Sequence, residues 1–166
     1  RSTSWSLGQF LAERLRDRDW TADHIILPRL TLTGEGIESL LGLVRGTDLV
    51  VLCTPLYIDA LPGPVVQVFE VIRDLSPESR GWNGTPFIAI VNQGFPESFQ
   101  SRLALRIAEL MAGSCGFTWA GGLALGMGGV INGTPLADVG WVARKARSAL
   151  EITAKALSSG QPVPTE

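Results

Sequence analysis

Cysteine, histidine and tyrosine are nearly absent, with two, one and one among 166 residues. The cysteines, Cys53 and Cys115, stand far apart and neither belongs to a Cys-x-x-Cys pair. That argues against a structural zinc or an iron–sulfur cluster. The lone histidine, His24, falls on an edge-like stretch and reads as a surface residue. Charge is sparse at 18% of residues, with a net −2 and no basic cluster, which argues against nucleic acid as the main partner. Charges interrupt every apolar run before membrane-spanning length, so no transmembrane helix and no membrane partner are expected. What remains is apolar. Hydrophobic residues make up 45% and the mean hydropathy is +0.22, so part of the surface is expected to face another subunit. The length suits one α/β domain, expected over 1–157, with a flexible tail over 158–166.

Leu7, Phe10, Leu11 and Leu15 recur at helical spacing and predict a helix from about Ser4 to Arg16. "HIILPRL" reads as a strand that ends early at Pro28, and "GIESLLGLVR" as a helix closed by Gly46. "DLVVLC" is the continuous apolar run of a strand buried on both faces. Pro64 opens the helix "PVVQVFEVIRDL", whose first part, "PVVQVFEVI", looks apolar nearly all round, as an association face requires. "PFIAIVN" is a second buried strand and "FTWAGGLALG" a third, with the helix "PESFQSRLALRIAELMAGSCG" between them. "PLADVGWVARKARSALEITAKAL" predicts one long final helix. Strands alternating with helices predict a doubly wound parallel sheet in the flavodoxin-like order 2-1-3-4-5. The chain starts on a helix, however. The central first strand is therefore expected to be missing from this sequence, leaving "HIILPRL" without a neighbour to pair with.

In such sheets ligands bind outside the carboxyl ends of the strands. Three segments are expected to converge there. Ser2, Thr3 and Ser4 offer hydroxyls at a helix N-terminus that favours an anion such as phosphate; plain N-capping is the alternative reading. "TPLYIDALPGP" is a proline-stiffened loop carrying Tyr57, which could stack on a flat ligand or simply be half buried. "VNQGFPE" supplies Asn92 and Gln93 for a heterocyclic amide edge, with Gly94 permitting close approach, or forms a simple turn.

"TPLYIDALPGPVVQVFE" is similar to the SPxYxxSxPxxLKxxxD segment of the flavodoxin-like NAD(P)H-dependent FMN reductases, a family broadly related to the flavin-dependent quinone reductases. "RSTSWSLGQFLAERL" resembles the second half of that family's phosphate loop, and "VNQGFPE" and "GGLALGMGG" its later loops. The resemblance implies that Ser2, Thr3 and Ser4 hold the FMN phosphate, that Thr54, Pro55, Leu56 and Tyr57 line the isoalloxazine, and that Asn92, Gly94 and Phe95 contact its other edge. It implies hydride transfer from NAD(P)H as co-substrate through FMN to a quinone-like or other small-molecule acceptor, in a cytoplasmic homodimer or tetramer. No catalytic side chain is needed, because the flavin carries the chemistry. Ala60 stands where the family often has serine, and Gln67 in its usual lysine region.

A flavodoxin-type electron carrier and a cofactor-less binding module are the alternatives. The weak net charge counts against the carrier, and the missing strand keeps the module open. "GEGIES" and "GMGGVI" fail as dinucleotide fingerprints at Ser39 and Ile131, and "GMGGVINGTP" reads as a flexible loop near the flavin or the dimer contact. Cys53 reads as a small core residue, and Trp5, Trp82, Trp119 and Trp141 as packing and association residues.

Overall fold

The computed structural model describes residues 1–27, 34–75 and 80–164. Helix α1 (Thr3–Arg16) is followed by α2 (Glu35–Arg45), β1 (Val50–Pro55), α3 (Gly63–Asp74) and β2 (Pro86–Asn92). A 3-10 turn (Ser98–Ser101) leads into α4 (Arg102–Ser114), then β3 (Thr118–Leu125) and α5 (Arg144–Ser158). Among the described residues the sheet has three parallel strands in the order β1-β2-β3.

Strand β2 explains why the sheet is covered twice. Phe87, Ala89 and Val91 face the core formed with α2, α3 and α4, whereas Ile88 and Ile90 face the core formed with α1 and α5. A strand with helices on both faces must be apolar at every position, and β2 is buried from Phe87 onward. Burying Ile88 and Ile90 contributes about 1.5–3 kcal/mol each. Helix α1 brings Leu7, Phe10, Leu11 and Leu15 to the second core, the same four residues its sequence periodicity selects. Helix α4 presents Ala104, Ala108 and Ala112 to the first, so small side chains let it lie close to the sheet.

Several expectations need correction. His24–Leu27, the described part of "HIILPRL", forms no strand, although its want of a pairing neighbour was expected, and 28–30 lies outside the described residues. A strand holds only against a neighbour, and among the described residues β1 bonds to β2 alone; Ile25 and Leu27 pack instead as loop residues on the first core. For the same reason β1 is only half-buried over Val50–Cys53, rather than buried on both faces. The final helix begins at Arg144, not near Pro135, because Gly140 takes a positive φ of 60° that ends any continuous helix from Pro135. Helix α3 is amphipathic: Val65, Val68, Phe69 and Ile72 are buried, while Gln67, Glu70, Arg73 and Asp74 face solvent. Its outer face does not suit association through apolar contact. After α5 the chain does not trail away. The Val163 amide donates to Ala120 O at 2.8 Å and its side chain is buried on β3, so the expected flexible tail is pinned to the sheet at Val163.

Candidate functional site

The carboxyl ends of the three strands and the N-terminus of α1 meet at one end of the sheet. Asn92, the last residue of β2, is the junction. Its buried side-chain amide donates to Ser4 Oγ at 2.7 Å and to Thr54 O at 3.0 Å. One side chain thus ties the first turn of α1 to the end of β1. The backbone continues the tie, since the Leu56 amide donates to Asn92 O at 2.7 Å.

Ser2 is the N-cap of α1, its Oγ accepting from the Trp5 amide at 3.2 Å. Ser2 and Ser4 each accept one hydrogen bond and keep a hydroxyl proton to donate. Thr3 is different, because its hydroxyl donates to Gly128 O at 2.7 Å and is already committed. The free N–H groups of the first helical turn add a positive end to this corner. Arg1 lies over one side of the Trp5 ring, its guanidinium carbon 4.5 Å from the centroid, and His24 stacks on Trp5 at 6.2 Å. Burial, helped by nearby Arg16, pushes the His24 pKa down.

After β1, Thr54 is buried and its hydroxyl turns back to Pro55 O at 3.2 Å. Pro55 is exposed and Leu56 half-buried. Tyr57 and Ala60 exchange backbone hydrogen bonds of 2.9 and 3.1 Å around a two-residue turn whose central residues, Ile58 and Asp59, have φ of 48° and 59°. A β-branched residue rarely accepts that left-handed conformation, so strain of about 1–3 kcal/mol sits at Ile58. Ile58 is also 91% exposed.

After β2, Gln93 is buried: its Nε2 donates to Glu97 O, while Oε1 has no partner. Gly94 is exposed, and a Cβ there would meet no atom within 4 Å, so room is open above the strand end. Phe95 is exposed, as are Tyr57 and Met127, which gives each strand-end loop a large uncovered apolar side chain.

The loop after β3 is not the free loop expected from "GMGGVINGTP". The Met127 amide donates to Phe95 O at 2.8 Å and the Gly128 amide to Gln93 O at 2.7 Å. Glycine is what allows the crossing. A Cβ on Gly126 would lie 2.3 Å from Pro96 O, and one on Gly128 3.0 Å from Gln93 O and 3.2 Å from Thr3 Cγ2. Gly126 and Gly128 therefore belong to the site's construction: the sequence placed this loop near the flavin or the dimer contact, but as a flexible loop and not as a backbone crossing. The density of glycine just past a strand was the available signal.

Neither cysteine joins the site as a nucleophile. The Cys53 thiol faces Gly8 of α1, where a Cβ would lie 3.2 Å from Sγ, and burial pushes its pKa up to about 12. Burial also raises Cys115, whose Sγ donates to Phe69 O at 3.3 Å. No cluster of three metal-ligating side chains occurs among the described residues, and no described helix is long and apolar enough to cross a membrane.

No protein-family model matches the chain, and no curated protein is recognisably similar to it in sequence. Solved structures do match. An FMN-dependent NADH-azoreductase from Bacillus anthracis, in complex with FMN, superposes with a TM-score of 0.64 at 13% identity, over 93% of this chain and 91% of that one. FerB, a flavoenzyme NAD(P)H:(acceptor) oxidoreductase from Paracoccus denitrificans, gives 0.55 at 16% identity, over 70% of this chain and 66% of its own, just under two thirds of its length. A flavodoxin, WrbA-like protein from Agrobacterium tumefaciens gives 0.58 at 15% identity, over 95% and 90%. At such identities the likeness speaks for the fold alone. The chain therefore has the α/β fold of the flavodoxin-like NAD(P)H-dependent oxidoreductases, the architecture its motifs resemble.

Proposed function

We propose that this chain is an FMN-binding oxidoreductase domain that uses NAD(P)H as co-substrate and reduces a quinone-like or other small acceptor. The observation that carries the reading is Asn92, which locks the α1 N-terminus to the ends of β1 and β2 where such sheets take their ligands. The donors fit a phosphate: Ser2 and Ser4 keep hydroxyl protons, and Thr3 contributes through the free amides of the first turn. Thr54, Pro55, Leu56 and Tyr57 would line one side of the isoalloxazine, and Asn92, Gly94 and Phe95 its other edge. Open space over Gly94 and the exposed rings of Tyr57 and Phe95 suit a flat group. When bound, FMN would supply the hydride and electron chemistry. The chain's own part is to hold the phosphate, seat the ring against rigid loops and shield it from water.

The sheet order belongs to the same reading. In 2-1-3-4-5, one more parallel strand lies against the free edge of β1. That edge carries no charge, bulge or interior proline, although Val50 and Leu52 lean on one core and Val51 and Cys53 on the other. Proteins rarely leave such an edge unguarded. Because the Leu56 amide points to β2, the alternation of a strand turns those of Thr54 and Leu52 the same way and those of Val51 and Cys53 outward. Hydrogen exchange at Val51 and Cys53 is expected to run roughly 100-fold faster than at Leu52 and Thr54. Adding an apolar strand and a short loop ahead of α1 should slow it to their level. Persistent fast exchange in that extended form would count against the order.

The functional test is a visible spectrum of the purified protein after incubation with FMN and gel filtration. A retained flavin band, bleached by NAD(P)H without oxygen, is the expected result. If the extended form also retains no flavin, the cofactor reading fails and a flavodoxin-like binding module takes its place. Flavin that is bound but not bleached would mark an electron carrier instead.

A further inference from the structure

The sequence Asn-Gly-Thr occurs twice, at 83–85 and 132–134, and the fold holds the two copies differently. Both sit in tight turns: the Thr85 amide donates to Trp82 O at 3.0 Å, and the Thr134 amide to Ile131 O at 2.8 Å. In the first turn the peptide between Asn83 and Gly84 is tied down. Its N–H donates to Gly116 O at 2.8 Å, and the Asn83 side chain lies over Gly116, where a Cβ would come within 2.9 Å of Oδ1. In the second turn the peptide between Asn132 and Gly133 has neither its N–H nor its C=O bonded among the described residues. It can rotate without losing a hydrogen bond. Asn132 is exposed and takes a left-handed φ of 41°, followed by 79° at Gly133. This second turn touches the start of α1. A Cβ on Gly133 would lie 2.8 Å from Arg1 C and Arg1 O, so the turn rests on the chain immediately before Ser2. Gly128 O, which accepts from the Asn132 amide at 3.4 Å, also accepts the Thr3 hydroxyl.

We infer that Asn132 is a site of spontaneous deamidation, and that the carboxylate it yields weakens anion binding at the N-terminus of α1. The second half rests on the phosphate site proposed above. The Gly133 nitrogen, once deprotonated, attacks Cγ of Asn132, and glycine puts no side chain in the way. A bond from that nitrogen to Cγ forms, the bond from Cγ to Nδ2 breaks, and the departing nitrogen takes up a proton as ammonia. Water then opens the cyclic imide at either carbonyl, leaving aspartate or isoaspartate. The net change is hydrolysis of one amide, with nothing oxidised or reduced. At Asn83 the same closure must first break the bond from Gly84 N–H to Gly116 O, which slows it about fivefold. Either product at 132 adds a negative charge one residue from the contact with Arg1, and that charge opposes a phosphate held by Ser2, Ser4 and the free amides of the first turn. Isoaspartate also lengthens the backbone by one carbon where Gly133 rests on Arg1, so it displaces the seat as well as charging it.

Peptide mapping by mass spectrometry, after incubation at mildly alkaline pH, reads the first half. Asn132 should convert to a mixture of aspartate and isoaspartate about fivefold faster than Asn83. Asn132→Asp reads the second half, because it fixes the charge without lengthening the backbone, and aspartate tolerates the left-handed φ as asparagine does. Its Kd for FMN should rise roughly threefold over that of the unaltered chain, and the difference should shrink at high salt. Asn83→Asp, at the amino end of β2, should bind FMN as the unaltered chain does. No conversion at Asn132, or conversion at Asn83 just as fast, would overturn the modification site. Equal FMN affinity in Asn132→Asp and the unaltered chain would overturn its consequence. An unaltered chain that binds no FMN fails the cofactor reading and takes the consequence with it, while the mass measurement still decides Asn132.

Discussion

Gly126→Ala should lower stability by about 3 kcal/mol, while Gly129→Ala, three residues on, should be neutral or slightly stabilising. The new methyl at Gly126 would lie 2.3 Å from Pro96 O, 2.8 Å from Pro96 C and 2.9 Å from Phe95 O. All three are backbone atoms, so no rotamer change relieves the clash and the loops after β2 and β3 must separate. The bonds Met127 N–H to Phe95 O and Gly128 N–H to Gln93 O then weaken, and with Gly128 goes the anchor for the Thr3 hydroxyl. Each such bond is worth about 1 kcal/mol net, and overpacking strain adds about 1–3 kcal/mol. For a chain of this length the melting temperature should fall by roughly 6–12 °C. At Gly129 a Cβ meets nothing, and alanine there reduces only the freedom of the unfolded chain, by about 0.4–1 kcal/mol. Thermal unfolding of the two variants settles the matter. Equal melting temperatures would mean that the two loops are not in contact.

Asn92→Leu is expected to do comparable damage to the site. Leucine nearly matches the volume but offers no donor, so Thr54 O loses a partner inside the protein and Ser4 Oγ loses the contact that orients it. That carbonyl keeps its ladder bond from the Asn92 backbone amide, so the loss is one hydrogen bond, about 1 kcal/mol net. Ser4 is only half-buried and can turn to water, so its loss falls on site geometry more than on folding. Under the proposed function, FMN affinity should drop at least tenfold, on the order of 1.4 kcal/mol. Ser4→Ala separates the two effects: it should weaken FMN binding while leaving the melting temperature within about 1 °C. If Asn92→Leu unfolds at the same temperature as the unaltered protein, Asn92 is no junction and the site must be redrawn.

Much of the frame was legible because it follows from period and punctuation. The spacing of Leu7, Phe10, Leu11 and Leu15 located α1, and Gly46 closed α2. "PFIAIVN" could only be a strand covered on both faces, and β2 occupies those seven residues. The misreadings share one cause, which is that periodicity does not report neighbours. "HIILPRL" looks like a strand, yet its described part forms none, and "DLVVLC" looks like a strand buried on both faces, yet among the described residues it lies at an edge. The tail looked free because nothing local shows that Val163 fits over Gly121, where a Cβ would come within 2.7 Å of the valine Cβ. At the site, sequence brought Ser4, Thr54 and Asn92 onto one end of the sheet, but treated Asn92 as a ligand contact rather than as the brace between them.

By itself, then, the sequence determined the class of fold and pointed to the end of the sheet where the site is proposed. Apolar period and the placement of glycine and proline are local properties, and they suffice for both. Only the tertiary structure decided which polar groups are already spent on each other and which glycines mark backbone crossings. Those depend on contacts between residues far apart in the chain, such as Thr3 with Gly128 and Ser4 with Asn92, and no local pattern encodes a distance.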